Sequence, residues 1–274
     1  MEVSKALTVA GSDSGGGAGI QADLKTFQEL GVFGMSALTA VTAQNTLGVH
    51  GVYPMPTAAV EAQIEAIGQD MGTDALKTGM LFSGEIIQAV ARKLEEFRWK
   101  KVVVDPVMIA KGGASLLQEE AIRAMKEYLM PLAMIITPNI PEAEVLTNMS
   151  IQSLDDRKRA AEKLHELGAK NVVIKGGHAD NEEKLIDLLY DGQEFQYFTS
   201  SRIPTKNTHG TGCTFAAAIT AELAKGQTVK EAVETAVNYV HAAIEMDLQI
   251  GKGHGPTNHW AFKRKEAAVD AAYK

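Results

Sequence analysis

Short apolar runs alternate with amphipathic stretches along most of the chain. Each run is brief, aliphatic or β-branched, and most are followed by Gly, Pro, Asp or Asn. This pattern is typical of strands in a parallel sheet that is covered on both faces. The predicted strands are Ala6–Ala10, Ser36–Thr42, Val102–Asp105, Met134–Thr137 and Val172–Lys175.

The stretches between these runs carry signals of helices. Ser153, with Asp156 three residues on, predicts a capping-box start, and Gly168 predicts the end of that helix. Thr228 and Glu231 predict a second start of the same kind. Apolar residues then recur on one face of the second helix, at Val229, Ala232, Val233, Ala236, Val237 and Val240. Alternating strands and helices favour βαβ units, and so one three-layer α/β/α domain over residues 1–274 with a mostly parallel sheet.

A hairpin is predicted late in the chain. The strand-like segments Leu185–Tyr190 and Phe195–Thr199 flank Asp191-Gly192, a pair that favours a tight turn. The sheet should therefore gain an antiparallel edge. Ligands of open α/β sheets bind beyond the carboxyl ends of the strands, so the loops that follow the strands are where function is expected.

Composition excludes several classes of partner. The net charge is −7 and no block of Lys or Arg stands out, which argues against a nucleic-acid track or an anionic membrane surface. Cys213 is the single cysteine, so no intramolecular disulfide can form, and a lone thiol suits a reducing compartment. The N-terminal apolar stretch is too short and too acidic for a signal peptide, and no stretch approaches a bilayer span. A cytoplasmic location is expected.

Two familiar nucleotide motifs are absent. Gly251-Lys252 is followed by Gly253 rather than by Ser or Thr, so there is no Walker A loop. The glycine cluster at residues 15–19 follows a strand but lacks the G-x-G-x-x-G spacing, because Ile20 stands where the third glycine would be. A Rossmann dinucleotide site is therefore weakly supported.

A different phosphate cradle is better supported, in the segment 207–215. Here a turn containing Gly210 and Gly212 runs directly into the apolar stretch 216–223. The free N–H groups and the dipole of a helix N-terminus together form an anion site. A plain loop before a helix of small residues is the alternative, at roughly even odds for an isolated Gly-x-Gly.

Cys213 changes that balance, since it falls in the first turn of the predicted helix. A helix N-terminus lowers a thiol pKa, which would make Cys213 a proton acceptor or hydrogen-bond partner for a substrate hydroxyl. The alternative is a small buried core residue. The histidines at 178, 209, 254 and 259 lack the spacing of a zinc signature and are expected in loops, with His209 near the site only through its neighbours.

Several motifs in order resemble one family. They are AGSDSGGGAGIQADLKTF, TAVTAQNT, KTGM, DPVMIAKGG, TPNIPEAE, VIKGGH and HGTGCTFAAAI, and the match runs from about residue 5 to GHGPTNH near the C-terminus. Together they look like the hydroxymethylpyrimidine/phosphomethylpyrimidine kinases of thiamin biosynthesis, in the ribokinase superfamily. The resemblance implies a ribokinase-like fold, a homodimer, and two ATP-dependent phosphorylations at one site: of 4-amino-5-hydroxymethyl-2-methylpyrimidine, and then of its monophosphate.

The resemblance also implies a substrate pocket. A Gln amide offers both a donor and an acceptor, which suits the ring nitrogen and exocyclic amine of an aminopyrimidine. Glycines at residues 15–17 would let the backbone approach the ring closely. The predicted substrate-binding residues are Gln44, Asp23, Gly11, Met80 and Val107. Taken singly, Gln44 fits a loop-capping amide, Asp23 a solvated helix residue, and the apolar pair the core.

A magnesium–nucleotide site is implied by the N-x-x-E motif Asn139 to Glu142, whose one-turn spacing lets both side chains face one point. With Asp105 they would supply oxygen ligands to Mg²⁺. For Glu142 alone, a helix N-terminal acid is the alternative. Lys175, and more weakly Lys111, would contact ATP phosphate, although solvation at the surface is the default for both.

The expected mechanism is in-line phosphoryl transfer, with the N–H groups of Gly210, Thr211, Gly212 and Cys213 stabilising the transferred group. Sugar kinases of the superfamily carry Asp where this chain has Cys213, so the thiol could orient the hydroxyl rather than deprotonate it. A pyridoxal kinase is the nearest rival function. A ligand-binding sensor without chemistry and a nicotinamide oxidoreductase are the others.

Overall fold

The computed structural model describes residues 3–108, 119–178 and 184–265, and within them one nine-stranded sheet. The strands are β1 Lys5–Asp13, β2 Phe33–Asn45, β3 Gly48–Pro54, β4 Ala75–Thr78, β5 Val102–Val104, β6 Ile135–Ile136, β7 Asn171–Ile174, β8 Lys184–Tyr190 and β9 Phe195–Ser201. The helices are α1 Gly19–Glu29, α2 Thr57–Asp70, α3 Gly84–Glu96, α4 Glu119–Ala124, α5 Ile140–Thr147, α6 Leu154–Glu166, α7 Thr211–Ala224 and α8 Val229–Glu245.

The sheet is parallel in its centre and antiparallel at both edges. Its spatial order is β3-β2-β1-β4-β5-β6-β7-β8-β9. The central strands run parallel, in the order β2-β1-β4-β5-β6-β7. At one edge β3 pairs antiparallel with β2, and at the other β8 and β9 form an antiparallel hairpin beside β7. The mostly parallel sheet and the antiparallel late edge are confirmed.

Two apolar cores, one on each face of the sheet, make the three layers. Successive strand residues point to opposite faces. Val102 and Val104 therefore belong to the core under α2–α6, while Val103 belongs to the core under α1, α7 and α8. Each fully buried Val or Leu contributes about 1.5–3 kcal/mol relative to exposure. The three-layer α/β/α prediction is confirmed.

The predicted helix starts are present as capping boxes. Ser153 caps α6 with Asp156, and Thr228 caps α8 with Glu231. In each case the cap oxygen accepts from the N3 backbone N–H while the N3 carboxylate accepts from the cap N–H. Among the described residues, no helix has both the length and the apolar composition of a bilayer span.

Two strands were missed from the apolar pattern, and each for a physical reason. β3 is an edge strand with no buried residue, and two Gly and His50 interrupt its apolar positions. β4 is central and fully buried, yet half of it is polar, at Lys77 and Thr78. A buried lysine can only be accepted where a partner inside the protein replaces water.

Candidate active site

The N-terminus of α7 is aimed at the loops beyond the parallel strands. Every residue from Thr214 to Ala224 is buried, because α7 packs between the sheet, α1 and α8. A helix that is apolar all round must lie inside the protein. Its first turn therefore lies beside the carboxyl ends of β1, β4 and β5, the strands it packs against.

The predicted anion site lies in the turn that starts α7, and its backbone N–H groups at residues 210–213 are called the nest below. Gly210 is the N-cap residue, in the left-handed region at φ 83°. A Cβ there would overlap the carbonyl oxygen of Gly17, so only glycine fits. Among the described residues, none accepts a hydrogen bond from the N–H of Gly212 or Cys213. These donors stay available for a ligand, as expected for a helix N-terminus.

A buried carboxylate and a lysine face the nest. A Cβ added to Gly212 would lie 3.4 Å from Lys175 Nζ and 3.9 Å from Asp105 Oδ2. Lys175 Nζ lies 3.5 Å from Asp105 Oδ1. Asp105 Oδ2 is buried and has no hydrogen-bond partner among the described residues. Such an orphaned acceptor is rare inside proteins, and it indicates a place for an absent ligand.

Asn139 and Glu142 are held by each other. Asn139 Oδ1 accepts from the Glu142 N–H at 2.9 Å, and Glu142 Oε2 accepts from the Asn139 N–H at 2.8 Å. The pair is the capping box of α5, so Glu142 has the helix-start role that the sequence also offered, while its role as a metal ligand stays a prediction. Burial, opposed by the Lys175 ammonium and reinforced by the Asp105 carboxylate, raises the Glu142 pKa to about 7.

These oxygens fit a magnesium ion bound to a nucleotide better than an all-protein metal cage. Within the described ranges, no three His, Cys, Asp or Glu side chains are grouped so as to hold a metal ion. Mg²⁺ needs only one or two carboxylates when phosphates and water complete its shell. Asp105, with its unpartnered oxygen, is the first candidate ligand. Glu142 is the second, because it lies close enough for the Asp105 carboxylate to raise its pKa.

The loop that carries Lys175 is fixed from two sides. Lys175 N donates to the Pro138 carbonyl at 2.9 Å, and Gly176 N donates to Asp187 Oδ1 at 2.7 Å. Sequence reasoning missed Asp187, which lies on a strand of the predicted hairpin and had no signal of its own. Lys111 lies outside the described residues.

Three predicted substrate-binding residues lie at or beyond the ends of neighbouring strands. Gly11 is buried near the end of β1, and a Cβ there would overlap the methyl group of Met80, which follows β4. Val107, half-buried, lies two residues beyond Asp105 at the end of β5. β1, β4 and β5 are adjacent in the sheet. Gly11 and Met80 are therefore in contact, and Val107 lies on the next loop along the same edge.

Gln44 lies at a bulge near the end of β2 and contacts His209. The register of β2 and β3 shifts between Ala43 and Gln44, and a bulge of this kind re-aims a side chain. Gln44 Nε2 lies 3.2 Å from His209 Nε2, and the latter lies 2.9 Å from Asp13 Oδ2. Gln44, predicted from sequence, is thereby connected to the nest through the residue that precedes Gly210.

The N–H groups of the early glycine cluster bind an internal carboxylate. The N–H groups of Gly15, Gly17 and Ala18 all donate to the Asp13 carboxylate, at 2.8 to 3.0 Å. Burial would raise the Asp13 pKa, but these bonds and the one from His209 outweigh it and lower the pKa. The cluster therefore holds an internal anion, and the close approach of its glycines to a substrate ring stays a prediction. The signal was present, since Asp13 ends a strand and precedes a glycine run.

Asp23 was predicted to bind substrate, and the structure corrects this. Its side chain on α1 is fully buried, and both oxygens lie 3.0 Å from Lys77 Nζ. Thr8 Oγ1 also donates to it at 2.6 Å. Lys77 is equally buried, and the pair is an ion pair beneath the site. Apolar periodicity could not find Lys77, which appears in sequence only within the KTGM stretch.

Cys213 lies in the first turn of α7 as predicted, but the expected fall in its pKa is wrong. Burial raises the pKa of the thiol to about 12, and the Lys77 ammonium and a hydrogen bond from the Gly19 N–H do not offset it. Desolvation of a thiolate outweighs the helix dipole here. Cys213 is accordingly a protonated thiol at neutral pH, which can donate or accept a hydrogen bond but is a poor base.

The segment 254–259 near the C-terminus supports the nest from below. His209 N donates to the Gly255 carbonyl and Thr257 N donates to the His209 carbonyl. His259, expected as an ordinary loop residue, is buried, with its Nε2 3.1 Å from Thr214 Oγ1 in α7. Burial, with Lys25 a smaller cause, lowers the His259 pKa to about 4.

His259 makes stability depend on pH. Between pH 6.5 and about 4 the unfolded chain binds a proton at His259 that the folded chain does not, so stability is lost as the pH falls through this window. We expect about 2 kcal/mol of loss from this residue between pH 7 and pH 5. Urea unfolding at both pH values should show a flatter dependence for His259→Gln than for the wild-type protein. Equal slopes in the two proteins would contradict the assignment.

Comparison with known proteins gives a consistent result. The profile of the family described as phosphomethylpyrimidine kinase matches residues 13–258. A hydroxymethylpyrimidine/phosphomethylpyrimidine kinase of Bacillus subtilis (strain 168) is 61% identical over 264 residues, covering 96% of this chain and 97% of the relative.

Solved structures of related kinases share the fold. The pyridoxal kinase from Staphylococcus aureus in complex with AMP-PCP and pyridoxal superposes with a TM-score of 0.89 at 42% identity, covering 96% of each chain. A phosphomethylpyrimidine kinase from Clostridium difficile 630 gives a TM-score of 0.78 at 46% identity, covering 87% of this chain and 98% of the other.

Proposed function

This chain belongs to the phosphomethylpyrimidine kinase family, and from that premise we propose that it is one ATP-dependent kinase domain acting twice on a pyrimidine. It phosphorylates the alcohol 4-amino-5-hydroxymethyl-2-methylpyrimidine and then the resulting monophosphate, in thiamin biosynthesis. The observation that best supports this function is the pair of unpartnered N–H groups at Gly212 and Cys213. They face Lys175 and the orphaned oxygen of Asp105.

Phosphoryl transfer needs positioning and charge stabilisation more than covalent help. The N–H groups of Gly210, Gly212 and Cys213 are proposed to bind the transferred phosphoryl oxygens as charge shifts during the reaction. The N–H of Thr211, also predicted for this role, already donates to the Thr208 carbonyl at 3.4 Å. The Lys175 ammonium, 14% exposed, would neutralise phosphate charge from the opposite side. Since the helix and the loop are already fixed, little reorganisation accompanies the step.

Magnesium is proposed to accompany the nucleotide. Asp105 would ligate it through Oδ2, and Glu142 would contribute once the ion's charge lowers its pKa from about 7. Asn139 contributes by capping α5 and so fixing Glu142. When bound, the ion neutralises charge on the nucleotide phosphates.

The substrate pocket is proposed to lie between Gln44 and the Gly11–Met80 contact, with Val107 also against the ring. The Gln44 amide would bind the ring nitrogen and the exocyclic amine. Cys213 would hydrogen-bond the substrate hydroxyl and orient it toward the phosphoryl group. Asp23 acts from beneath, through Lys77, and does not touch the ring.

Cys213→Ala is expected to lower kcat by roughly tenfold, the usual size of one lost orienting hydrogen bond. The KM for ATP should stay unchanged, because the nest is backbone. With a thiol pKa of about 12, wild-type kcat should show no thiol ionisation between about pH 6 and 9. Steady-state kinetics across that range test both points. Wild-type activity in Cys213→Ala would remove the thiol from the reaction.

One assay tests the function. Purified protein with ATP is given the pyrimidine alcohol, its monophosphate or pyridoxal, with Mg²⁺ present or removed by chelation. We expect ADP formation with the alcohol and the monophosphate, and loss of both on chelation. Turnover of pyridoxal alone would identify a pyridoxal kinase, the alternative that similarity to the Staphylococcus aureus enzyme favours. No turnover with any acceptor would return the protein to the class of ligand-binding sensors.

A homodimer in the cytoplasm completes the proposal. Val41 on β2 is paired with Tyr53 on β3, and these two side chains are 41% and 64% exposed. Leu47, in the turn between the strands, is 68% exposed. Clustered apolar exposure at a sheet edge is typical of protein interfaces. Light scattering should give about twice 29.4 kDa, and a particle of 29.4 kDa would refute the dimer.

A further inference from the structure

A chain of three side chains runs from the glycine cluster to the substrate pocket. Asp13 Oδ2 lies 2.9 Å from His209 Nε2, which lies 3.2 Å from one end of the Gln44 amide. Thr42 Oγ1 lies 3.1 Å from the other end of that amide. Asp13 and His209 are 3% and 12% exposed, so water does not readily replace these contacts.

The position of the His209 proton follows from Asp13. The Asp13 carboxylate accepts from three backbone N–H groups, which favours its ionised form. An ionised oxygen at 2.9 Å requires a hydrogen on His209 Nε2. His209 itself is fixed, because both of its backbone groups are bonded to the segment 255–257 and its ring packs against Gly17.

The hydroxyl of Thr42 is committed as well. It donates to the Ser12 carbonyl at 2.8 Å, and one hydroxyl has a single hydrogen. Thr42 Oγ1 is therefore an acceptor toward Gln44. His209 Nε2 has one hydrogen and no free lone pair, so it can share that hydrogen between the Asp13 carboxylate and an oxygen of Gln44, but it cannot accept from the Gln44 nitrogen. If Gln44 Nε2 pointed toward His209, two donors would face each other there. The Gln44 oxygen would then face the lone pairs of Thr42 Oγ1, so two acceptors would also meet. Rotation of the amide by 180° about Cγ–Cδ satisfies both contacts.

We propose that His209 is a positioning residue that fixes the orientation of the Gln44 amide, with its oxygen toward His209 and its nitrogen toward Thr42. The amide then presents one acceptor and one donor in a set order to the ligand. An aminopyrimidine edge, with a ring nitrogen beside an exocyclic amine, tolerates only one order. A phenolic hydroxyl, as in pyridoxal, can donate or accept and tolerates either. His209 thus sets selectivity for the amine, and this inference rests on the proposed function.

The test separates recognition of the amine from general loosening. Calorimetry measures Kd for the pyrimidine alcohol and for its analogue without the exocyclic amine, in wild type, His209→Phe and His209→Gln. Phe keeps the ring volume without a donor, while Gln places an amide N–H near the position of Nε2. We expect His209→Phe to raise the Kd for the alcohol roughly tenfold and the Kd for the analogue by less than about threefold. In His209→Gln, the Kd for the alcohol should lie within about threefold of the wild-type value.

Thr42→Val, close in shape and without the acceptor, should produce the same selective loss and carries the test if His209→Phe does not fold. His241→Phe on α8 is the control for the ring substitution and should leave both affinities unchanged. Equal weakening of both ligands, or unchanged preference for the amine in His209→Phe and Thr42→Val, would overturn the inference while leaving the kinase function standing. Wild-type protein that neither binds nor phosphorylates the alcohol would instead overturn the proposed function.

Discussion

Gly210→Ala is expected to lower kcat by roughly a hundredfold to a thousandfold, the range found when one charge-stabilising donor is lost. Residue 210 is left-handed at φ 83°, and a Cβ there would overlap the Gly17 carbonyl oxygen. The turn must therefore move, and the N–H groups of Gly212 and Cys213 move with it. Steady-state kinetics with Mg-ATP and the pyrimidine alcohol measure the effect.

Gly226→Ala is the matched control. Gly226 is also left-handed, at φ 89°, but a Cβ there would meet nothing within 4 Å. Both variants carry the same backbone strain of about 1 kcal/mol, so strain alone cannot separate their rates. The control should keep kcat within about twofold of wild type. If folded Gly210→Ala turned over as fast as Gly226→Ala, the nest would not be where the phosphoryl group is held.

Lys77→Met is expected to lower the free energy of unfolding by about 3–5 kcal/mol, because it leaves the Asp23 carboxylate buried without a counter-charge. Both side chains are fully buried and 3.0 Å apart. Burial favours a neutral amine, but the Asp23 carboxylate outweighs it and raises the Lys77 pKa. Urea unfolding at neutral pH measures the loss. It should shrink at lower pH, because an unpaired Asp23 takes up a proton in the folded state.

Two further variants separate the causes of that loss. Lys158→Met breaks a Lys–Asp pair of similar length, 3.1 Å, on the exposed surface of α6, where water screens both charges, and should change stability far less than Lys77→Met. Replacing both partners, as Asp23→Leu with Lys77→Met, should recover much of the stability, since neither charge is then stranded. If Lys77→Met cost no more than Lys158→Met, Asp23 would not depend on Lys77.

Much of the fold could be predicted because its signals are local. The runs around β1, β5, β6 and β7 are apolar on both faces, and only a covered parallel sheet uses such strands. The capping boxes of α6 and α8 lie within four residues of sequence. β3 and β4 were missed, since one is exposed and the other is half polar, and neither shows the apolar period.

The site was predictable to the extent that its residues follow strands. Asp105, Lys175 and the turn at 210–213 follow buried runs or precede a helix, and the structure brings them together. Asp23 was misassigned and Lys77 missed for one shared reason. Their pairing joins residues 54 positions apart, and no local pattern marks it.

The sequence by itself determined the layered α/β fold, the helix starts and the glycine turn before α7, because each depends on residues within a few positions of one another. Only the tertiary structure decided that Asp13 occupies the early glycine cluster, that Lys77 neutralises Asp23 and that the Cys213 thiol stays protonated. Those outcomes depend on burial and on charges brought close by folding. The free energy of a charge inside a protein is set by its neighbours in space, which the order of residues along the chain does not display.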